Sequence, residues 1–317
     1  MVEMNKQKRA HIVSVSGGKD STATALLALD RFPEAHLVFA DTGNEHEYTY
    51  DYIRDYLPKA LGRPIETVRA NFDAEIAIKR VFIARDSRIG RRDGRRIRWT
   101  NKAKRRALAI LHPTGNPFLD LCLWKGRFPS RKAQFCTQEL KTGPLIDFQY
   151  GFVKDGFKVW SWQGVRRDES QQRKFAKRIE YTTDGLYCYR PIVDWTAQQT
   201  VDFVVARGIK LNPLYSMGMT RVGCLPCINC AKSEIAEIAN RFPEHVARIA
   251  EWEGKVALAA KRSAASFFPD PDRDAHLNKR GIRKVVEWAS TSRGGMQFQL
   301  PLLEKHVGCS SSYGLCE

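Results

Sequence analysis

Between an apolar run at 12–16 and a helix-forming stretch at 21–29 the chain carries Ser16-Gly17-Gly18-Lys19-Asp20-Ser21-Thr22. A buried strand that feeds a glycine turn and then a helix leaves backbone N–H groups and the positive end of the helix dipole together at one point, which makes an anion site. Gly17 and Gly18 let that backbone approach a phosphate closely, and Lys19 adds a point charge. Ser16, Ser21 and Thr22 offer hydroxyls to phosphate oxygens, and Ser21 is also a candidate helix cap. The Walker spacing, GxxxxGK followed by Ser or Thr, is absent, so the loop belongs to another class of phosphate binder.

Downstream, strand-like runs follow at 36–40, 65–69, 157–165 and 186–192, with helical patterns at 48–61 and 196–207. Alternating strands and helices predict an α/β fold: a doubly wound, Rossmann-like parallel sheet that extends to about residue 210. Helical patterns at 234–253 and 279–290, separated by a loop-like stretch at 267–274, predict a smaller helical C-terminal region. The expected division is a nucleotide-binding domain over 1–215 and a cysteine-bearing helical region over 216–317. The chain shows no internal repeat.

Charge narrows the partner. The 52 basic and 35 acidic residues leave +17 at pH 7, which calls for an anionic partner. Residues 79–106 hold thirteen basic and two acidic side chains, so +11 of the surplus lies in one segment, read as part of an insertion at about 79–135. Within it Arg91, Arg92, Arg95, Arg96, Arg98, Lys102, Lys104, Arg105 and Arg106, with Trp99 interleaved, form a candidate nucleic-acid contact surface, against the alternative of a solvated charge run. Asp93-Gly94 within it suits either a hairpin turn or an irregular loop. No apolar run reaches the roughly 18 residues of a membrane span, and the N-terminal stretch lacks a signal peptide's apolar segment. A cytoplasmic protein without membrane contact is expected.

Eight cysteines in such a compartment favour metal binding or redox chemistry over disulfides. Cys224, Cys227 and Cys230 stand in a C-x2-C-x2-C run, which aims three thiolates at one metal centre. Cys309 and Cys316 lie in a tail, GCSSSYGLCE, that either delivers a thiol or carries incidental ones. Cys122 and Cys188 read as small core residues. The histidines form no HExxH-type pair, which argues against a histidine metalloenzyme.

The SGGKDST heptad resembles the PP-loop of the adenine nucleotide α-hydrolases, enzymes that cleave ATP between the α and β phosphates and transfer AMP to a substrate oxygen. FADTG at 39–43 followed by Glu45, WQGVRRDESQQR at 162–173, RPIVDWTAQQTVDFV at 190–204 and NPLYSMGMTRVGCLPC at 212–227 resemble, in order, blocks of the phosphoadenosine phosphosulfate (PAPS) reductase family. The resemblance implies an adenine nucleotide α-hydrolase-like fold. It places Asp41 and Thr42 near the ribose or adenine, and turns Arg166, Arg167 and Arg173 toward phosphate or sulfate. Lys19, Asp20, Arg166 and Arg167 become the candidate catalytic residues, and Ser16 to Thr22 with Asp41, Thr42 and Arg173 the candidate nucleotide-binding set. Cys136, in FCTQELKTGPL, resembles the family's cluster-binding block, with Phe135 where a tandem cysteine would stand. The implied ligand set is Cys136, Cys224, Cys227 and Cys230 around one 4Fe-4S cluster. Zinc suits four thiolates too, and a three-cysteine set without Cys230 would leave one iron open.

Three functions follow. The first is adenylation of a nucleic-acid substrate, DNA or transfer RNA, by ATP with Mg2+, followed by sulfur transfer from a donor such as a cysteine desulfurase; the pairing of an intact loop with a cluster resembles the Dnd-type DNA phosphorothioation proteins. The second is a PAPS or APS (adenosine 5′-phosphosulfate) reductase releasing sulfite. The misplaced cysteine in the terminal GLCE and the intact triphosphate loop count against it. The third is a non-catalytic nucleic-acid-binding module.

Overall fold

A computed structural model describes residues 8–87, 98–183, 185–269 and 281–292. Of the sequence candidates, Arg91, Arg92, Arg95, Arg96, Cys309 and Cys316 lie outside the described residues. The chain folds as two compact units: the described residues up to Ala70 with Thr137–Cys224, and Asn71–Cys136 with the described residues from Leu225 onward. The first unit thus ends at Cys224 rather than at 215, and residues 71–136 belong to the second unit rather than forming an insertion in the first.

The first unit is built on a six-stranded sheet, β1 (Arg9–Val15), β2 (His36–Asp41), β3 (Ile65–Arg69), β4 (Lys158–Trp162), β5 (Ile179–Thr183) and β6 (Leu186–Tyr189), in the order β3-β2-β1-β4-β6-β5. All neighbouring pairs are parallel except β5 with β6. The α/β doubly wound expectation holds, with an antiparallel edge strand added. Side chains of β1 alternate between two cores. Val13 and Val15 pack with Leu37, Phe39, Trp162 and the alanines of α1 (Lys19–Arg31), while Ala10 and Ile12 pack with Val38, Val159 and Leu145 of the helix Gly143–Lys154. Covering both faces explains why the inner strands read as continuous apolar runs. The strand order reverses between β1 and β4, and ligands of such sheets bind at the carboxyl ends of the strands beside that switch point.

The second unit is helical. Its basic residues are partly spent on its own helix ends, where unpaired carbonyls carry partial negative charge. Lys79 donates to the Leu123 and Trp124 carbonyls at the end of the helix Pro117–Lys125, and Arg80 donates to Leu108 and Leu111 at the end of Asn101–Ile110. Lys104 meets the Asp86 carbonyl after the helix Asp73–Arg85, and Arg106 reaches Leu258 and Ala260 at the end of Pro243–Ala259. Burial, and repulsion from Lys261, push the Lys79 ammonium down to about 8. The helix expected over 234–253 is two, Lys232–Arg241 and Pro243–Ala259, because Pro243 has no N–H to continue the first. No helix among the described residues is long and apolar enough to cross a membrane.

Candidate active site

Three loops of the first unit leave the carboxyl ends of β1, β2 and β4, neighbours in the sheet. After β1 the chain turns at Gly17, whose φ of +81° is a left-handed conformation open to glycine, and enters α1 with Gly18 as its cap. Ser21 is therefore not the cap expected from the sequence: the helix starts two residues earlier and Ser21 lies in its first turn. Its hydroxyl donates to the Gly18 carbonyl at 3.0 Å and accepts from the Ser16 N–H and hydroxyl, each at 3.1 Å. The Thr22 hydroxyl also donates to the Gly18 carbonyl, at 2.9 Å. These side chains fix the curvature of the loop. The Lys19 N–H, first in the helix, donates to the Tyr215 hydroxyl at 3.1 Å, and the Lys19 ammonium lies 5.4 Å from the centre of that ring.

Asp20 is fully buried, and its Oδ1 accepts from the Arg166 Nε at 2.8 Å. Arg166, on the loop after β4, is itself 5% exposed at the side chain and also pairs with Asp168. Burial lowers the Arg166 pKa, but the Asp20 carboxylate outweighs it and holds the guanidinium above its usual range, so it stays charged. Asp20 Oδ2 has no hydrogen-bond partner among the described residues; the Lys19 ammonium is 3.7 Å away. Farther along the loop, buried Arg173 pairs with Glu169, whose carboxyl is raised from its ordinary value by burial, against the pull of Arg173. Arg167 turns elsewhere, to the Ala176 carbonyl and Asp194.

On the β2 loop, Asp41 accepts from the Gly43 N–H and the Tyr50 hydroxyl, both at 2.8 Å, and pairs with Arg69 at 3.1 Å. Burial, with the Glu45 and Asp41 carboxylates, pushes the Tyr50 phenol far up, so it remains a donor. The Thr42 hydroxyl donates to Glu45 Oε1 at 2.7 Å and lies 3.3 Å from the Cys224 sulfur. Cys224 is thus placed at the carboxyl end of β2, beside the loop that neighbours the Ser16–Thr22 turn.

A glycine-bent loop at the switch point, with a buried arginine joined to its aspartate and a cysteine one loop away, thus gathers at the carboxyl ends of the strands. The family model of the phosphoadenosine phosphosulfate reductase domain matches residues 10–230. The chain belongs to the PAPS reductase family. A 44% identical relative, the "Uncharacterized 37.8 kDa protein in gpa 5'region" of Escherichia phage 186, is matched over 97% of this chain and 96% of its own length. The uncharacterized protein MJ0973 of Methanocaldococcus jannaschii is 23% identical over 76% of this chain, which spans 47% of that protein. An adenosine 5'-phosphosulfate reductase of Rhizobium meliloti is 35% identical over 126 residues, 38% of this chain and 44% of the reductase.

Within this family member, Cys224 belongs to the first unit, and Cys136, Cys227 and Cys230 to the second. The Cys230 sulfur accepts the Cys227 N–H at 3.2 Å and the Cys227 sulfur accepts the Asn229 N–H at 3.5 Å. Backbone donors aimed at two sulfurs suit thiolates, the form that ligates a cluster or zinc. Cys122 and Cys188 are buried and their thiols are raised chiefly by burial, as core residues should be. In the basic segment Lys102 and Arg105 are exposed, Lys104 and Arg106 are engaged by carbonyls, and Arg98 is half-buried. Trp99 corrects an expectation: at 3% exposure it is a core residue and not a stacking surface.

Sequence reasoning overlooked Tyr215, Glu169, Asp168 and Tyr50. Tyr215 and Glu169 stood inside the blocks that carried the family resemblance, but nothing in their spacing shows that they reach the first helical amide or Arg173.

Proposed function

We propose that the chain is a PP-loop ATP pyrophosphatase that adenylates a nucleic-acid substrate and prepares it for sulfur transfer. The observation that carries this reading is the complete SGGKDST loop at the switch point, with Lys19 and the buried Asp20–Arg166 pair at the start of α1. The amides of α1 and the Lys19 ammonium receive the triphosphate, and the substrate oxygen attacks the α phosphorus. The bond from that phosphorus to the bridging oxygen breaks, pyrophosphate leaves, and AMP stays on the substrate as a leaving group. Fixed cations stabilise the charge on the leaving pyrophosphate, the kind of donor whose removal costs about 10²–10³ in rate. Asp20 Oδ2, buried without a hydrogen-bond partner among the described residues, is the oxygen that would hold an Mg2+, which would offset the negative charge of the phosphates.

Cys136, Cys224, Cys227 and Cys230 are the proposed ligands of a 4Fe-4S cluster, and the amides directed at the Cys227 and Cys230 sulfurs support thiolate ligation there. Such a cluster supplies iron for binding or activating sulfur. Exposed Lys102 and Arg105, with half-buried Arg98 and the carbonyl-bound Lys104 and Arg106, are the described part of the proposed nucleic-acid contact. The Dnd-type and transfer-RNA forms of the reaction differ in acceptor, and a cysteine desulfurase is a suitable sulfur donor for either.

The likeness to an APS reductase favours one second reading, sulfite release from a sulfonucleotide. Anaerobically purified protein incubated with ATP, Mg2+ and DNA or RNA is expected to release pyrophosphate in step with substrate labelling by AMP. Sulfite release from APS or PAPS without ATP would instead establish the reductase. A separate measurement checks the cluster: Cys227→Ser is expected to lose most of the bound iron and sulfide and the associated visible absorbance, and an unchanged iron content would reject the ligand assignment.

A further inference from the structure

The turn that follows Arg173 is built to display what it carries. Arg173 is buried, and its N–H donates to the Ser170 carbonyl at 3.0 Å; the Ala176 N–H returns to the Arg173 carbonyl at 2.9 Å, and the Ala176 carbonyl accepts from Arg167 Nε at 3.0 Å. On this pinned backbone Phe175 stands 84% exposed, between exposed Lys174 and Lys177. Neither lysine makes an ion pair among the described residues. The turn runs into β5, whose Ile179 and Tyr181, two residues apart and so on one face, are 52% and 55% exposed. Three large side chains open to solvent within seven residues, with Lys174 and Lys177 on either side of the first of them, form a patch rather than scattered surface residues.

We propose that the 174–181 surface is a docking platform for a single-stranded stretch of polynucleotide, with Phe175 stacking on an unpaired base and Lys174 and Lys177 facing the flanking phosphates. An exposed aromatic ring offers a π-face to any base, and cations beside it follow the backbone, the combination by which single strands are held without sequence readout. A duplex hides its base faces and cannot use the ring. The chain's +17 charge draws the same partner. Phe175 is two residues from Arg173, so their Cα atoms lie no more than about 7 Å apart, roughly one nucleotide step. A strand held on Phe175 therefore runs over the backbone of the segment that carries the Arg173–Glu169 pair. This assignment rests on the nucleic-acid substrate proposed above, but locates it on residues outside the 79–106 segment.

The test uses the full chain and fluorescence anisotropy with a labelled 12-nucleotide single-stranded DNA, the RNA of the same sequence and the blunt DNA duplex. Phe175→Ala is expected to weaken single-strand binding by roughly 5- to 150-fold, the range of one base stack, and to leave duplex binding and the salt slope unchanged. Phe175→Trp is expected to bind at least as tightly as the native chain. The double variant Lys174→Ala, Lys177→Ala is expected to flatten the slope of log affinity against log salt by about 1.4, two single-strand phosphate contacts. Single-strand binding that is absent in the native chain, or equal in Phe175→Ala, overturns the platform, as does Phe175-dependent capture by phosphatidylserine vesicles without oligonucleotide binding. ATP binding measured on the same samples is expected to be equal in the native chain and Phe175→Ala. A native chain that binds no ATP removes the pyrophosphatase reading, while the oligonucleotide series still decides the platform.

Discussion

Arg166→Ala is expected to destabilise the folded chain by about 3–5 kcal/mol, the cost of stranding one partner of a buried pair. Asp20 is 1% and Arg166 5% exposed at the side chain, with Nε and Oδ1 at 2.8 Å, so solvent screens the pair little. Alanine leaves Asp20 buried with Lys19 as its nearest cation, 3.7 Å from Oδ2, and with the dipole of α1 as its remaining support. That residual support places the expected loss nearer the low end of the range. Urea unfolding measures it. The double variant with Asp20→Asn should recover most of the loss, because the uncompensated charge is gone; failure to recover would mean that Arg166 acts through packing alone. The pH dependence has a definite sign. A carboxylate that is disfavoured in the folded state binds its proton more tightly there than in the unfolded chain, so its folded state is fully supported at acid pH and loses support as pH rises. Glu169, raised by burial, is such a group, so the deficit of Arg166→Ala should shrink as pH falls. With Arg166 gone, Glu169 keeps Arg173 and Arg221 but loses the third cation that pulls its carboxyl down, and it shifts further up. ATP turnover under the proposed activity should fall by about 10²–10³, the usual cost of one lost stabiliser of developing charge.

This pair links residues 146 positions apart, and nothing in local pattern joins them. Local pattern carries part of the fold: a strand at 12–16, two glycines, a helix at 21–29, and the strands at 36–40 and 65–69 each have their own periodicity and punctuation. Four helices, Asp73–Arg85, Asn101–Ile110, Pro117–Lys125 and Gly143–Lys154, went unread. The first two overlap the basic run, whose charge density reads from the sequence as a candidate nucleic-acid contact surface. That charge hides the helices, because Lys79, Arg80, Lys104 and Arg106 serve helix ends of the helical unit. Trp99 misleads in the same run, since an aromatic among arginines suggests stacking, whereas Trp99 is core. β5 escaped notice because an edge strand exposed on both faces, IEYTT, has no apolar alternation to detect. Motif chemistry in the sequence singles out the loop residues, Arg166 and Arg173, and the fold pairs Arg166 with Asp20 and Arg173 with Glu169. That chemistry does not reveal the different course of Arg167, because Arg166 has an extended backbone whereas Arg167 opens a 3-10 turn and bonds the Ala176 carbonyl.

Gly164→Ala should have the second large effect, through a single methyl group. Gly164 follows β4 by two residues and packs directly on the first turn of α1. A Cβ there would lie 2.8 Å from the Asp20 carbonyl carbon and 2.9 Å from the Asp20 oxygen and the Ser21 nitrogen. All three are backbone atoms, so no side chain can swing away, and relief requires the loop after β4 to part from α1 by more than half an ångström. The cores on both sides of β1 resist that movement. Overpacking of this kind costs about 1–3 kcal/mol, and a displacement approaching 1 Å between Arg166 and the phosphate loop is expected to lower ATP turnover by about 10²-fold. Gly151→Ala supplies the internal comparison. Gly151 lies within the helix Gly143–Lys154 with nothing within 4 Å of its would-be Cβ, so the same substitution should stabilise by about 0.5–1 kcal/mol and leave turnover unchanged. Thermal unfolding and pyrophosphate release on the two variants separate the cases: equal behaviour would mean that β4 and α1 have slack between them, and that the closeness of Arg166 to the loop is not set by Gly164.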